Sequence, residues 1–134
     1  MSLDDALKAT MATVPECVAA GYVDMDTGML LGVQTADDHP QEVLDTLAAA
    51  TADLFQGSSV LQIEKLFKRN RGKEKDDQHY FQEVLVFSEA MLHVFMRTKR
   101  YPGHVVALVC RRSANPGMVL TKARMGLEAV SSAV

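Results

Sequence analysis

Residues 17–33 read Cys17-Val18-Ala19-Ala20-Gly21-Tyr22-Val23-Asp24-Met25, then Asp26-Thr27-Gly28, then Met29-Leu30-Leu31-Gly32-Val33. Two short β-rich runs flank an Asp/Gly turn in which Gly28 is free to take positive φ, so the stretch predicts a hairpin. A hairpin commits the sheet to antiparallel pairing from its first two strands, and the rest of the chain has to be fitted around that choice.

Upstream, Leu3, Leu7, Met11 and Val14 recur at helical spacing, predicting a helix over residues 4–13. Pro15 ends it, because the residue before a proline is pushed out of the α region. Downstream, Ala36-Asp37-Asp38-His39-Pro40-Gln41-Glu42 offers an acidic cap, a proline for the first helical position and a glutamate for the first turn. The helix it opens carries Val43, Leu47, Ala50 and Leu54 on one stripe, flanked by Leu44, Ala48 and Phe55, and Gly57 breaks or bends it. From Ser58 to Phe67 a restarted helix, with Ser59 and Gln62 as a capping box, competes with a strand through Leu61 and Ile63, and periodicity does not choose between them.

Lys68 to Gln78 is polar and densely charged, and is read as an exposed loop. Three strand-like runs follow, Tyr80–Phe87, Met91–Thr98 and His104–Arg111. In the second, Leu92, Val94 and Met96 alternate with His93, Phe95 and Arg97, the period of a sheet whose two faces differ. Val105 to Val109 is apolar on both faces, as suits the centre of a covered sheet. Asn115 as N-cap and Pro116 at the next position open a last helix whose buried side is Leu120, Ala123, Leu127 and Val130. The predicted order is α-β-β-α-β-β-β-α, an α+β chain with one five-stranded antiparallel sheet and helices on both faces. No linker interrupts it, so residues 1–134 are read as a single domain.

Composition narrows the function. The 134 residues are 48% hydrophobic and 23% charged, ordinary globular usage for a chain able to bury roughly two-thirds of its unfolded surface. A net charge of -3 gives no general attraction to nucleic acid. The longest apolar run, Val105–Cys110, falls far short of the roughly 20 residues a membrane span needs. Met1-Ser2-Leu3-Asp4-Asp5 is acidic where a signal peptide is basic, and a cytoplasmic location is expected.

Candidate chemistry is sparse. Gly72-Lys73 has Phe67 where a Walker A loop needs its first glycine and Glu74 where it needs a hydroxyl, so the chain is no P-loop nucleotidase. His39, His79, His93 and His104 lie apart from any metal-ligand spacing, and neither a metal nor a cofactor is expected. Cys17 and Cys110 sit in apolar strand-like runs, where thiols are usually packing residues, and catalysis through them ranks below a non-enzymatic role. The basic run Lys65 to Lys75 includes Glu74 and has no interleaved aromatics beyond Phe67; it is read first as solvated, and next as a partner-docking loop through Lys68, Arg69, Arg71 and Lys73. The small residues Ala48-Ala49-Ala50-Thr51-Ala52 would let a second helix approach closely.

Gly21-Tyr22-Val23-Asp24-Met25-Asp26-Thr27-Gly28-Met29-Leu30-Leu31-Gly32 resembles the first hairpin of roadblock-type domains, and Ala114-Asn115-Pro116-Gly117 through Arg124 resembles that family's last-helix entry. The resemblance covers essentially the whole chain, through the order and spacing of its elements. It implies a profilin-like sandwich with the middle helix on one face of the sheet and the terminal helices on the other. It also places the first and last strands side by side, with Cys17 and Cys110 at the same end and reduced. Family members are non-enzymatic platforms, among them dynein light chains and regulators of Ras-like GTPases, and commonly homodimerise through middle helices and third strands. Carried over to this chain, the dimer contacts would be Leu44, Leu47, Ala48, Thr51 and Phe55, with Val84 and Val86 on the strand Glu83–Phe87. The alternative is a profilin-like small-molecule sensor, which a closed pocket lined by His93 and Phe95 would favour.

Overall fold

The computed structural model describes residues 2–36, 41–70 and 81–134, with the backbone alone described for residues 41–46 and 70. In chain order the elements are α1 (Leu3–Thr13), β1 (Cys17–Asp24), β2 (Met29–Thr35), α2 (Gln41–Gln56), α3 (Ser58–Asn70), β3 (Glu83–Phe87), β4 (Met91–Arg97), β5 (His104–Arg111) and α4 (Pro116–Ser132). The five strands form one sheet in the order β2-β1-β5-β4-β3, and all neighbours pair antiparallel. The hairpin predicted from residues 17–33 is its first pair. Gly28 takes φ 72° and donates its N–H to the Asp24 carbonyl at 2.8 Å, while the Asp24 side chain accepts from the Asp26 N–H at 3.0 Å.

Period-2 alternation divides the core between the two faces. On one side Leu92, Val94 and Met96 of β4 join Ala20, Tyr22, Val106 and Leu108 beneath α1 and α4. On the other, Val23 and Val105 pack under Ala48 and Phe55 of α2, with Phe95 and Val84 at the margin. The terminal helices are held at their starts by side-chain caps that satisfy otherwise orphaned N–H groups. Ser2 and Asp5 form a capping box on α1, and Asn115 accepts from the Met118 N–H at 3.1 Å ahead of Pro116 on α4. Ala123 and Val130 are buried on α4 and Leu120 and Leu127 half-buried, as the spacing predicts.

Three boundaries differ from the sequence reading. Residues 58–70 are helical, which settles the competition between helix and strand and moves Lys68 and Arg69 out of the expected loop into the last turn of α3. Basic residues there favour the negative end of the helix dipole. β3 begins at Glu83 rather than Tyr80, because the Phe81 carbonyl accepts from the Arg97 guanidinium, Nε at 2.9 Å, instead of joining the ladder. β4 ends at Arg97, where Thr98 Oγ1 turns to bond the backbone of Tyr101. The expected cap at Asp37 to Pro40, the loop residues Arg71 and Lys73, and Tyr80 lie outside the described residues.

Candidate interaction surface

A helix lying on its own sheet must turn one stripe inward, and on α2 that stripe is Ala48, Thr51 and Phe55, all 2% exposed or less. Phe55 sits beneath the Arg97 guanidinium, 5.1 Å from its ring centroid. Within one protomer these three of the expected dimer contacts face the protomer's own sheet. Leu47 is 48% exposed and Leu54 36%, Leu47 also bordering the space between the helix and the sheet. The Leu44 side chain lies outside the described residues.

The outward apolar surface continues onto α3, where Leu61, Ile63, Leu66 and Phe67 are all exposed, Leu66 by 55%. The inward side of α3 is instead half-buried Val60 with buried Glu64 one turn later. Glu64 and Asp26 place negative charge near Arg97, whose burial alone pulls the guanidinium below its ordinary pKa. Arg97 also donates to the Pro102 carbonyl at 2.6 Å, so a single buried cation ties β4 to the segment before β3 and the turn before β5. Sequence reading missed this arrangement. The signal was present in the spacing Val60, Glu64, Lys68, which puts an acid on the inner stripe of an otherwise apolar helix.

β3 ends the sheet, and among the described residues no strand lies beyond it. Its register places Val84 opposite Phe95 and Val86 opposite His93, which puts both valines on the α2 face. Val84 is half-buried, and Val86 is 39% exposed. On the opposite face Glu83 takes two bonds from Arg124 of α4, at 2.7 and 2.8 Å, which hold its carboxyl below the usual range and anchor the strand to the helix. Edge strands with free N–H and C=O groups invite pairing. Val86 is thus exposed on an unpaired edge, on the face of the sheet that α2 covers.

Between α2 and the floor of β1, β5 and β4 lies a cavity of about 330 Å³, walled by Leu47 and Thr51 above and by Ala19, Ala107, Val109 and His93 below. His93 borders it and Phe95 does not; the two rings stack beside one another with centroids 6.4 Å apart. Burial lowers the His93 pKa. Elsewhere, Tyr22 Oη is hydrogen-bonded to His104 Nδ1 at 2.8 Å, and burial pushes the phenol up to about 12, so it keeps its proton. Cys17 and Cys110 stand opposite each other on β1 and β5, at the same end of neighbouring strands. Among the described residues no three of His, Cys, Asp and Glu gather where they could hold a metal ion, and no helix is long and apolar enough to cross a membrane.

No protein-family model and no curated protein matches this sequence. Solved structures do match its fold. A Roadblock/LC7 domain from Streptomyces avermitilis is 19% identical with a TM-score of 0.70, covering 98% of this chain and 97% of that one. An MglB with a tetrameric arrangement is 21% identical at TM-score 0.74, covering 98% and 86%. The gliding protein MglB from Thermus thermophilus is 20% identical at 0.71, covering 98% and 87%.

Proposed function

We propose, on the premise that the chain carries the Roadblock/LC7 fold, that it is a non-catalytic homodimeric platform that binds a small Ras-like GTPase in the cytoplasm and modulates its nucleotide cycle or placement. One observation carries the reading: β3 ends the sheet among the described residues with Val86 exposed on it, and Leu47 and Leu54 are exposed on α2, which covers the same face. A second copy meeting this edge would extend the sheet and cover the apolar residues in one step. Catalysis then stays in the partner's nucleotide site, and the dimer acts by binding one conformation of the switch loops more tightly than the other. Lys68 and Arg69 lie in the last turn of α3 and would face that partner, with Arg71 and Lys73 following in sequence.

The test is a pull-down with Ras-like GTPases of the same genome, each loaded with GDP or a non-hydrolysable GTP analogue. One GTPase retained in a nucleotide-dependent way supports the proposal, and equal or absent retention of all of them removes it. The cavity beside α2 favours one rival, a small-molecule sensor. Native mass spectrometry of the purified chain decides that rival, which requires a ligand carried through purification.

A further inference from the structure

Cys17 and Cys110 are directly opposed in the β1–β5 register. Opposed residues of an antiparallel pair have Cα atoms about 4.5–5.5 Å apart, inside the window of about 4.4–6.8 Å that a disulfide spans. Both side chains belong to the face covered by α1 and α4: Cys110 is buried in that core, and Cys17 packs against it from the start of β1, half-buried. The two thiols are unequal: the neighbouring Cys110 thiol lowers the Cys17 pKa despite partial burial, and Cys17 together with burial raises that of Cys110. The Cys17 thiol itself donates to the Ala19 carbonyl at 3.3 Å. An accessible sulfur that ionises more readily thus stands against a buried one that needs no access to solvent, only to its neighbour.

We infer that Cys17 and Cys110 form a peroxide-reactive dithiol, with Cys17 the attacking sulfur and Cys110 the resolving one, that closes a disulfide between the first and last strands. In the first step the Cys17 thiolate attacks one oxygen of a hydroperoxide. The S–O bond forms, the O–O bond breaks, and hydroxide or alkoxide leaves, so Cys17 is oxidised to the sulfenic acid and the peroxide is reduced. In the second, the Cys110 sulfur attacks Cys17 sulfur; the S–S bond forms, the S–O bond breaks, and the departing oxygen leaves as water with the Cys110 proton. The product staples β1 to β5 where the Glu16 carbonyl already accepts from the Arg111 N–H at 3.1 Å. Nothing in it depends on the GTPase reading.

The reduced chain is treated with hydrogen peroxide, quenched with an alkylating reagent and weighed intact. The expected product is lighter by two hydrogens, takes no alkyl group, runs as a single chain on non-reducing denaturing gels and regains both thiols with dithiothreitol. With Cys110→Ala, a dimedone adduct is expected on Cys17; with Cys17→Ala, the folded chain keeps its Cys110 thiol. The wild-type result stands alone if either variant fails to fold. Chain-to-chain crosslinks, sulfinic or sulfonic products without a disulfide, or two unchanged thiols would overturn the inference.

Discussion

At the scale of single residues, Arg97 is the side chain on which most depends. It is buried, donates to the Phe81 and Pro102 carbonyls, covers Phe55 and faces the negative charge of Glu64 and Asp26. Removing one member of a buried charged set leaves the others uncompensated. Arg97→Ala is therefore expected to cost about 3 kcal/mol in urea unfolding, and Arg97→Lys to recover only part of that, because an ammonium cannot reproduce the guanidinium fork. His93 carries a pH dependence of definite sign. Burial holds its folded-state pKa below the ordinary 6.5, so the unfolded chain takes up this proton first. Its contribution is fully present above that value and is lost as the pH falls below it. The urea midpoint should drop between about pH 7.5 and 5.5, and His93→Phe should flatten that drop. A wild-type drop no steeper than the variant's would count against it. Glu83, whose carboxyl is held low by Arg124, loses its contribution only in a more acid range.

Between elements, the join of α2 and α3 is the sharpest case. Gly57 donates its N–H to the Asp53 carbonyl at 3.0 Å, and a Cβ built at Gly57 would stand 2.7 Å from that same oxygen. In an open helix interior Gly→Ala stabilises by up to about 1 kcal/mol. Here Gly57→Ala is expected to destabilise by about 1–2 kcal/mol, since backbone must move to admit the methyl group; a rise in the denaturation midpoint would contradict this. Elements whose signals are local were legible in the sequence. The Asp24 to Gly28 turn, the Asn115-Pro116 cap and the alternation in β4 each declare themselves within a few residues. The start of β3 was not legible, because it is set by Arg97 reaching to Phe81 across 16 positions of sequence. The course of 58–70 was not legible either, since a short apolar run fits both periods until its inner face is known.

For the whole molecule, the sandwich itself was readable, because hairpin connections admit few arrangements of five strands and the helices had only two faces to cover. The candidate surface was readable only in part. Periodicity identified α2 as apolar on more than one side, but which side meets the protomer's own sheet depends on packing, and packing took Ala48, Thr51 and Phe55 inward while leaving Leu47 and Leu54 outside. The outer side of α3 is also apolar and exposed, and Val86 is exposed on the β3 edge, which the proposed function gives to a second chain. Static light scattering over about a hundredfold range of concentration is the most direct measurement of that claim, made on the wild-type chain and on Val86→Arg, with circular dichroism to verify the fold. The expected result is the mass of two chains for the wild type and of one chain for a folded Val86→Arg. A wild type with the mass of one chain throughout, or a dimer that Val86→Arg leaves intact, would contradict it.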